Sequence, residues 1–303
     1  MSVVFSLDLK SFITEDKAGP SSTGSGFSLK GEGDATAILI HGLTGTPNEM
    51  KYLANHLNKS GYSVICPCLA NHGGSIRVLK NSKWQDFYNS VRSIMTEGEL
   101  AEKKGPIFVA GLSMGALLAL MLADEFNDRV SAVCCLAPTL FYDGWNTPWS
   151  KYFLPLAYNT FLKHFFYFKE EPPYGIKNET IRQRIHKYYS GATLNDTGNV
   201  AQYGYPYFPV ALLYQLQLIV KKLTRDLSDM RFPVQLIQAK DDDMASVKNS
   251  KFVYDRIGSE VKEMVFLYDS YHVITADYER DIVAEKMEGF FSRVAAMRKP
   301  QLL

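Results

Sequence analysis

The sequence predicts an α/β fold, a mainly parallel sheet with helices on both faces. Three observations carry this. Short apolar runs alternate with segments of helical periodicity. The runs are apolar throughout rather than at every second position, as in parallel strands buried on both faces. The alternation stops near Phe141 and resumes at Pro233, so one continuing sheet is interrupted by an insertion.

The first strand is predicted over Ala35 to Ile40, an apolar run that ends at His41-Gly42. Pro47 to Ser60 is helical through Met50, Leu53, Ala54 and Leu57, and Gly61 closes it. Tyr62 to Cys66 is the next strand. Trp84 to Met95 is helical, with Phe87, Val91 and Met95 on one face. Pro106 to Ala110 is a strand, Gly115 to Phe126 a helix and Val130 to Ala137 a strand. After the interruption come strand Pro233 to Ala239, helix Ser246 to Ile257, strand Glu263 to Leu267 and helix Tyr278 to Met297. Lys17 to Ser28, rich in Gly, Ser and Pro, reads as a polar loop.

Composition narrows the function classes. The 33 basic and 32 acidic side chains leave a net charge of +1. That balance gives no support for a nucleic-acid partner. The longest apolar run, Ala116 to Ala123, is far too short for a transmembrane helix. Met1 to Lys10 lacks the basic and apolar regions of a secretory signal, so the expected location is cytoplasmic. Cys66, Cys68, Cys134 and Cys135 fit neither a disulfide framework nor a zinc site and are expected to be reduced. Nothing in the sequence specifies an oligomer.

Gly111-Leu112-Ser113-Met114-Gly115 fits G-x-S-x-G between a predicted strand and a predicted helix. A sharp strand-to-helix turn forces the serine into a strained conformation and demands small flanking residues. It also sets Ser113 at a helix N-terminus, where free N–H groups favour developing negative charge. A serine is a weak nucleophile alone, so a base and an acid are expected elsewhere. Of the six histidines, only His272 sits in a short loop after a late strand, with a carboxylate-bearing loop between it and Ser113. His56 falls within a helix, His72 shapes a turn, and His164 and His186 lie in the insertion. His41 is read as bracing its loop. The acid is one of Asp241, Asp242 and Asp243, although a run of three also suits a helix-capping turn. The oxyanion donors are expected to be the amides of Met114, after the serine, and Leu43, in the loop His41-Gly42-Leu43-Thr44-Gly45.

These segments resemble the bacterial carboxylesterases and monoacylglycerol lipases of the α/β-hydrolase superfamily. The resemblance rests on His41 to Pro47, Gly111 to Gly115, Gln238 to Met244 and Tyr271 to Thr275. It implies an α/β-hydrolase fold, places the acid on Asp242 and the base on His272, and implies the same oxyanion amides, Leu43 and Met114. It covers roughly 30–140 and 230–297. The departure is the insertion, longer and more aromatic than in the small esterases of that family.

Residues 1–140 and 232–303 are therefore expected to form the core, and 141–231 a cap. A dense aromatic insertion over a nucleophile suggests an apolar acyl pocket, or rings packed as the cap's own small core. The basic stretch Lys177 to Lys187 reads as a solvated helix face. The expected activity is hydrolysis of a small-molecule carboxylic ester through an acyl-enzyme on Ser113, with no cofactor and no metal. Thioester hydrolysis, acyl transfer, or peptide hydrolysis with Glu170 and Glu171 holding a substrate amine are the alternatives.

Overall fold

A computed structural model of the chain describes residues 2–5, 26–97, 100–194, 200 and 204–298. The strands are β1 (Ser2–Phe5), β2 (Phe27–Leu29), β3 (Thr36–Ile40), β4 (Ser63–Cys66) and β5 (Ile107–Leu112). They continue as β6 (Val130–Leu136), β7 (Phe166–Lys169), β8 (Tyr207–Pro209), β9 (Val234–Ala239) and β10 (Lys262–Leu267). The helices are α1 (Lys51–Lys59), α2 (Ile76–Leu79), α3 (Trp84–Thr96), α4 (Met114–Glu125) and α5 (Leu154–Tyr158). After them come α6 (Glu179–Tyr189), α7 (Val210–Asp226), α8 (Lys248–Arg256) and α9 (Arg280–Arg298). Each core element expected from the sequence is present, its ends moved by no more than two residues once the 3-10 turn Pro47–Met50 leading into α1 is counted with that helix. The polar loop expected at 17–28 lies outside the described residues up to residue 25, and its last positions, Phe27 and Ser28, instead form part of edge strand β2, paired with β4.

Among the described residues the main sheet has seven strands, ordered β10-β9-β6-β5-β3-β4-β2. All its pairs are parallel except β2 with β4 at the edge. Side chains alternate between the two faces of a strand, and the core divides accordingly. Ile38, Ile40, Val109, Val133 and Cys135 pack with α3, α4 and α7 on one side. Ala37, Leu39, Phe108, Ala110, Ala132 and Cys134 pack with α1 and α9 on the other. Both faces are therefore covered, which is why the strands read as unbroken apolar runs. The vicinal Cys134 and Cys135 point to opposite faces, and all four cysteines are free thiols.

Two elements depart from the expected division. β1 pairs antiparallel with β7, and β7 with β8, so the N-terminal strand joins the insertion rather than the main sheet. Helix α7 is part of the inserted segment by sequence and packs both on α3 and α4 of the core and on α5, β7 and β8 of the insertion. Its Gln215 side chain accepts the backbone N–H of Trp84 at 3.0 Å. The reason is topological: β6 and β9 are parallel neighbours, and parallel neighbours need a crossover layer. The last part of the insertion supplies that layer. Among the described residues, no helix is long and apolar enough to cross a membrane.

On the α1/α9 side, the Phe291 ring stacks on Phe108 with centroids 4.6 Å apart, and both are fully buried. Phe291→Ala should lower the unfolding free energy by about 3–5 kcal/mol, read by urea denaturation with an unchanged m-value.

Candidate active site

The residues singled out in the sequence converge on the carboxyl ends of β3, β5, β9 and β10, where open parallel sheets bind ligands. Ser113 lies between β5 and α4 with φ 58° and ψ −117°, outside the favoured regions for a non-glycine residue. Its amide is held by the Leu136 carbonyl at 2.9 Å. Both flanking glycines are required by contact. A Cβ on Gly111 would meet the Gly115 carbonyl oxygen at 2.1 Å, and one on Gly115 the Ile40 oxygen at 2.3 Å.

His272 Nδ1 lies 2.8 Å from Asp242 Oδ2 and 3.1 Å from Oδ1, with both side chains buried. Asp242 Oδ2 also accepts Gln238 Nε2 at 2.7 Å, while Oδ1 accepts the amides of Met244 at 2.9 Å and Ala245 at 2.7 Å. The other two aspartates have separate places. Asp241 is exposed and within 3.7 Å of Lys177 Nζ. Asp243 accepts the amides of His272 at 3.3 Å and Gly175 at 3.2 Å, which ties the insertion to the histidine loop. Of the three, only Asp242 faces the imidazole nitrogen.

Burial works against a charged His272, but Asp242 outweighs it with help from Asp243 and Glu49, and its pKa stands above the ordinary value. The Ser113 hydroxyl is 3.0 Å from the Thr139 hydroxyl, which in turn can donate to the Ala137 carbonyl at 3.3 Å. Ser113 and His272 line the same cavity of about 260 Å³.

The loop His41 to Gly45 lies against the serine. A Cβ on Gly42 would sit 3.6 Å from Ser113 Cβ. The loop is fixed from both sides. His72 Nε2 donates to the Leu43 carbonyl at 2.7 Å, and the Gly42 amide donates to Glu49 Oε2 at 3.1 Å. His41 accepts the Leu69 amide at Nε2 (3.1 Å) and donates from Nδ1 to the Gly42 carbonyl (2.9 Å). Burial lowers the pKa of both His41 and His72. Both act as neutral braces, as expected for His41, and neither faces the serine. Met114 opens α4, so its amide is among those a helix leaves without an internal acceptor.

The insertion supplies the far wall through Glu170, Tyr174, Ile176, Ile181, Tyr189 and Phe208. Arg184 also borders the cavity, so the basic stretch of α6 is not wholly a solvated face. Two residues were not found from the sequence, Thr139 and Glu49. Thr139 and Glu49 belong to no motif. Glu170 was noticed only as half of an adjacent pair, and of that pair Glu170 alone lines the cavity. Burial, with the neighbouring Asp243 and Glu49, raises Glu170 to about 8, and burial raises Glu49 to about 7. Asp243 rises to about 6 through burial and the neighbouring Asp242. Among the described residues, no group of three or more His, Cys, Asp or Glu is placed to hold a metal ion.

Comparison with known proteins finds relatives over most of the chain. The family described as "Serine aminopeptidase, S33" matches residues 31–279. A thermostable monoacylglycerol lipase of Bacillus sp. (strain H-257) is 28% identical over 265 residues, 87% of this chain and 92% of the relative. A carboxylesterase of Bacillus subtilis (strain 168) is 24% identical over 270 residues, 88% of this chain and 96% of the relative. Among solved structures, a metagenome-derived lipolytic enzyme superposes with a TM-score of 0.73 at 24% identity, covering 90% of this chain and 98% of its own. A soluble variant of the Saccharomyces cerevisiae monoglyceride lipase superposes with a TM-score of 0.71 at 17% identity, covering 89% and 91%. Both structures share the fold.

The raised carboxyls make stability pH-dependent. Glu170 binds its proton more tightly folded (about 8) than its ordinary value of 4.5 allows when unfolded. Its contribution is present below pH 4.5 and is lost as pH rises through 8. Glu170→Gln should therefore flatten the fall in unfolding free energy between pH 5 and 9, gaining on the order of 2 kcal/mol over wild type at pH 9. Denaturant titrations at the two pH values test this.

Proposed function

Since the chain belongs to the serine aminopeptidase S33 family, we propose that its ester chemistry runs through an acyl-enzyme on Ser113. The chain is a carboxylic ester hydrolase of the α/β-hydrolase fold, as its kinship with a monoacylglycerol lipase and a carboxylesterase indicates. The observation that carries the proposed mechanism is the buried His272–Asp242 pair beside the strained Ser113 in one cavity.

Asp242 accepts the Nδ1 proton of His272, which fixes the tautomer and leaves Nε2 as the base. The Ser113 hydroxyl turns from Thr139 to His272 and gives up its proton as the oxygen attacks the ester carbonyl. The amides of Leu43 and Met114 hold the oxyanion. His272 protonates the departing alcohol, then activates the water that releases the acid. No cofactor or metal takes part.

The cavity is small for a ligand site, and Ile176, Ile181, Tyr189 and Phe208 give it an apolar wall. That combination suits a small-molecule ester with a short or medium acyl chain. We assign the role of cap to 141–209, with α7 left to the core. The proposed location remains cytoplasmic.

Purified wild type should hydrolyse p-nitrophenyl esters with an optimum below palmitate, and Ser113→Ala should lower kcat about 10⁴-fold or more. A fluorophosphonate probe should label wild type and not the variant. Labelling without turnover of any ester would remove the ester reading and move the search to thioesters and aminoacyl anilides. Absence of both labelling and turnover would remove the role of Ser113.

A further inference from the structure

The segment leaving β6 holds Ser113 at two points. The Leu136 carbonyl accepts the Ser113 amide at 2.9 Å, and the Thr139 hydroxyl lies 3.0 Å from the Ser113 hydroxyl. Between these points the backbone turns sharply. Ala137 has φ 43°, a left-handed conformation that is strained for a residue other than glycine. Its amide is fixed to the Ile237 carbonyl at 2.8 Å. The amides of Leu140 and Phe141 both donate to Asn249 Oδ1, at 2.8 and 2.6 Å. Thr139 is therefore pinned from both ends, and its side chain is buried. Strained backbone held this firmly clusters at functional sites.

The number of protons sets the direction of the hydroxyl contacts. Each hydroxyl has one proton to donate, and a carbonyl oxygen only accepts. The Thr139 hydroxyl is within 3.3 Å of the Ala137 carbonyl oxygen, so Thr139 donates there. Its oxygen is then left to accept the proton of Ser113 at 3.0 Å. The chain runs from Ser113 O–H to Thr139 O–H to Ala137 C=O, and every member is satisfied. The reverse order would leave the Ala137 carbonyl without this donor and the Ser113 proton without this acceptor. The proton that His272 has to take is thus held by Thr139.

A bond of this kind acts on rate. It exists while Ser113 carries its proton and is gone once that proton has moved. An interaction present in the ground state and absent from the transition state raises the barrier by its own strength. For one neutral hydrogen bond this is a factor of roughly two to ten.

We propose that Thr139 is a positioning residue that holds the Ser113 proton away from His272 in the resting enzyme, until the Ser113 side chain turns to meet substrate. This rests on Ser113 being the nucleophile. In the step itself the Ser113 O–H bond breaks and its proton passes to His272 Nε2. The oxygen electron pair forms the bond to the ester carbonyl carbon. Thr139 keeps its own proton throughout.

The test compares wild type with Thr139→Val, which keeps the side-chain shape without the hydroxyl, and Thr139→Ser, which keeps the hydroxyl. Among the described residues, the lining of the cavity does not include Thr139. Thr139→Val should label faster with a fluorophosphonate probe. It should also raise kcat/KM on p-nitrophenyl acetate, butyrate and octanoate, by one common factor of roughly two to ten. The factor is common because kcat/KM starts from the free enzyme, where the bond is made. Deacylation, read as the steady rate after a burst, should be unchanged, since acylated Ser113 has no proton to hold. Thr139→Ser should match wild type. Rates in Thr139→Val at or below wild type would overturn the proposal. So would a gain that varies with acyl length, which is a shape effect, or one shared by Thr139→Ser. If Thr139→Val does not fold, a crystal structure of unliganded wild type decides. Ser113 Oγ hydrogen-bonded to Thr139 Oγ1 upholds the proposal, and Ser113 Oγ hydrogen-bonded to His272 Nε2 instead overturns it. Wild type that neither labels nor turns over removes the nucleophile and this proposal with it. Labelling that Thr139→Val leaves unchanged removes this proposal alone.

Discussion

The candidate site depends on how closely three backbone segments approach one another at Gly115. Its Cα lies so near the Ile40 and His41 carbonyls that a methyl group would overlap both. This contact holds the turn after β5 against the loop after β3. It is also why Ser113 is left at φ 58°. The strain is sustained because the neighbours over-determine it. The Ser113 amide is tied to Leu136 on one side, and α4, buried along its length, is fixed on the other. The same approach puts Gly42 beside Ser113 Cβ, so the proposed oxyanion loop takes its position from the elbow.

A second layer of constraint comes from buried and half-buried carboxylates that accept backbone amides across segment boundaries. Asp277 takes the amides of Tyr271 and Tyr278 from the histidine loop, and those of Lys177 and Asn178 from the insertion. Asp243 likewise takes one amide from each. Asp143, at the start of the insertion, takes the Ser246 amide and the Asn249 side-chain amide, and Asn249 in turn accepts from Leu140 and Phe141. Hydrogen bonds to charged groups are among the stronger contributors to stability. Their placement makes the entry to the insertion, the wall of the cavity and the His272 loop one connected unit. The side chains along Trp149–Tyr158 are left outside this network, and Trp149, Tyr152, Phe153 and Leu156 are exposed.

What was legible in the sequence follows from which physical rule each residue obeys. β3, β5, β6 and β9 were found because burial on both faces leaves mainly apolar residues, with few polar ones such as Gln235 and Gln238. Gly111 and Gly115 were found because the turn tolerates nothing larger. Asp242 could not be separated from its neighbours by residue type, since all three are aspartates and only the folded loop assigns one to His272. That α7 would also pack on α3 and α4 could not be read from its own periodicity, because this follows from the crossover between β6 and β9. β1 carries no signal of its own, being a short strand whose partner is more than 160 residues away. Thr139 and Glu49 are single polar residues near the site, and a single polar residue has no pattern to detect. The aromatic density of the insertion was visible, but composition does not say which rings are inside.

The carboxyl groups around the cavity bear on how the proposed base can work. Asp242, Asp243, Glu49 and Glu170 all belong to the surroundings of His272, and each, when ionised, favours the imidazolium. A general base works best with a pKa near the working pH. Four full negative charges around one imidazole would drive it far above that and hold it protonated. Burial opposes this outcome. It raises Glu49 to about 7 and Glu170 to about 8, and the two carboxyls disfavour one another's ionisation. Near neutral pH the Glu170 carboxyl is therefore mostly protonated, and Glu49 is divided between its two forms. Asp242 supplies the dominant negative charge, through a direct hydrogen bond. The apolar side chains that close the cavity thus also act on its charge. By desolvating the glutamates, they limit the negative charge acting on His272 and keep the imidazole available in its neutral form.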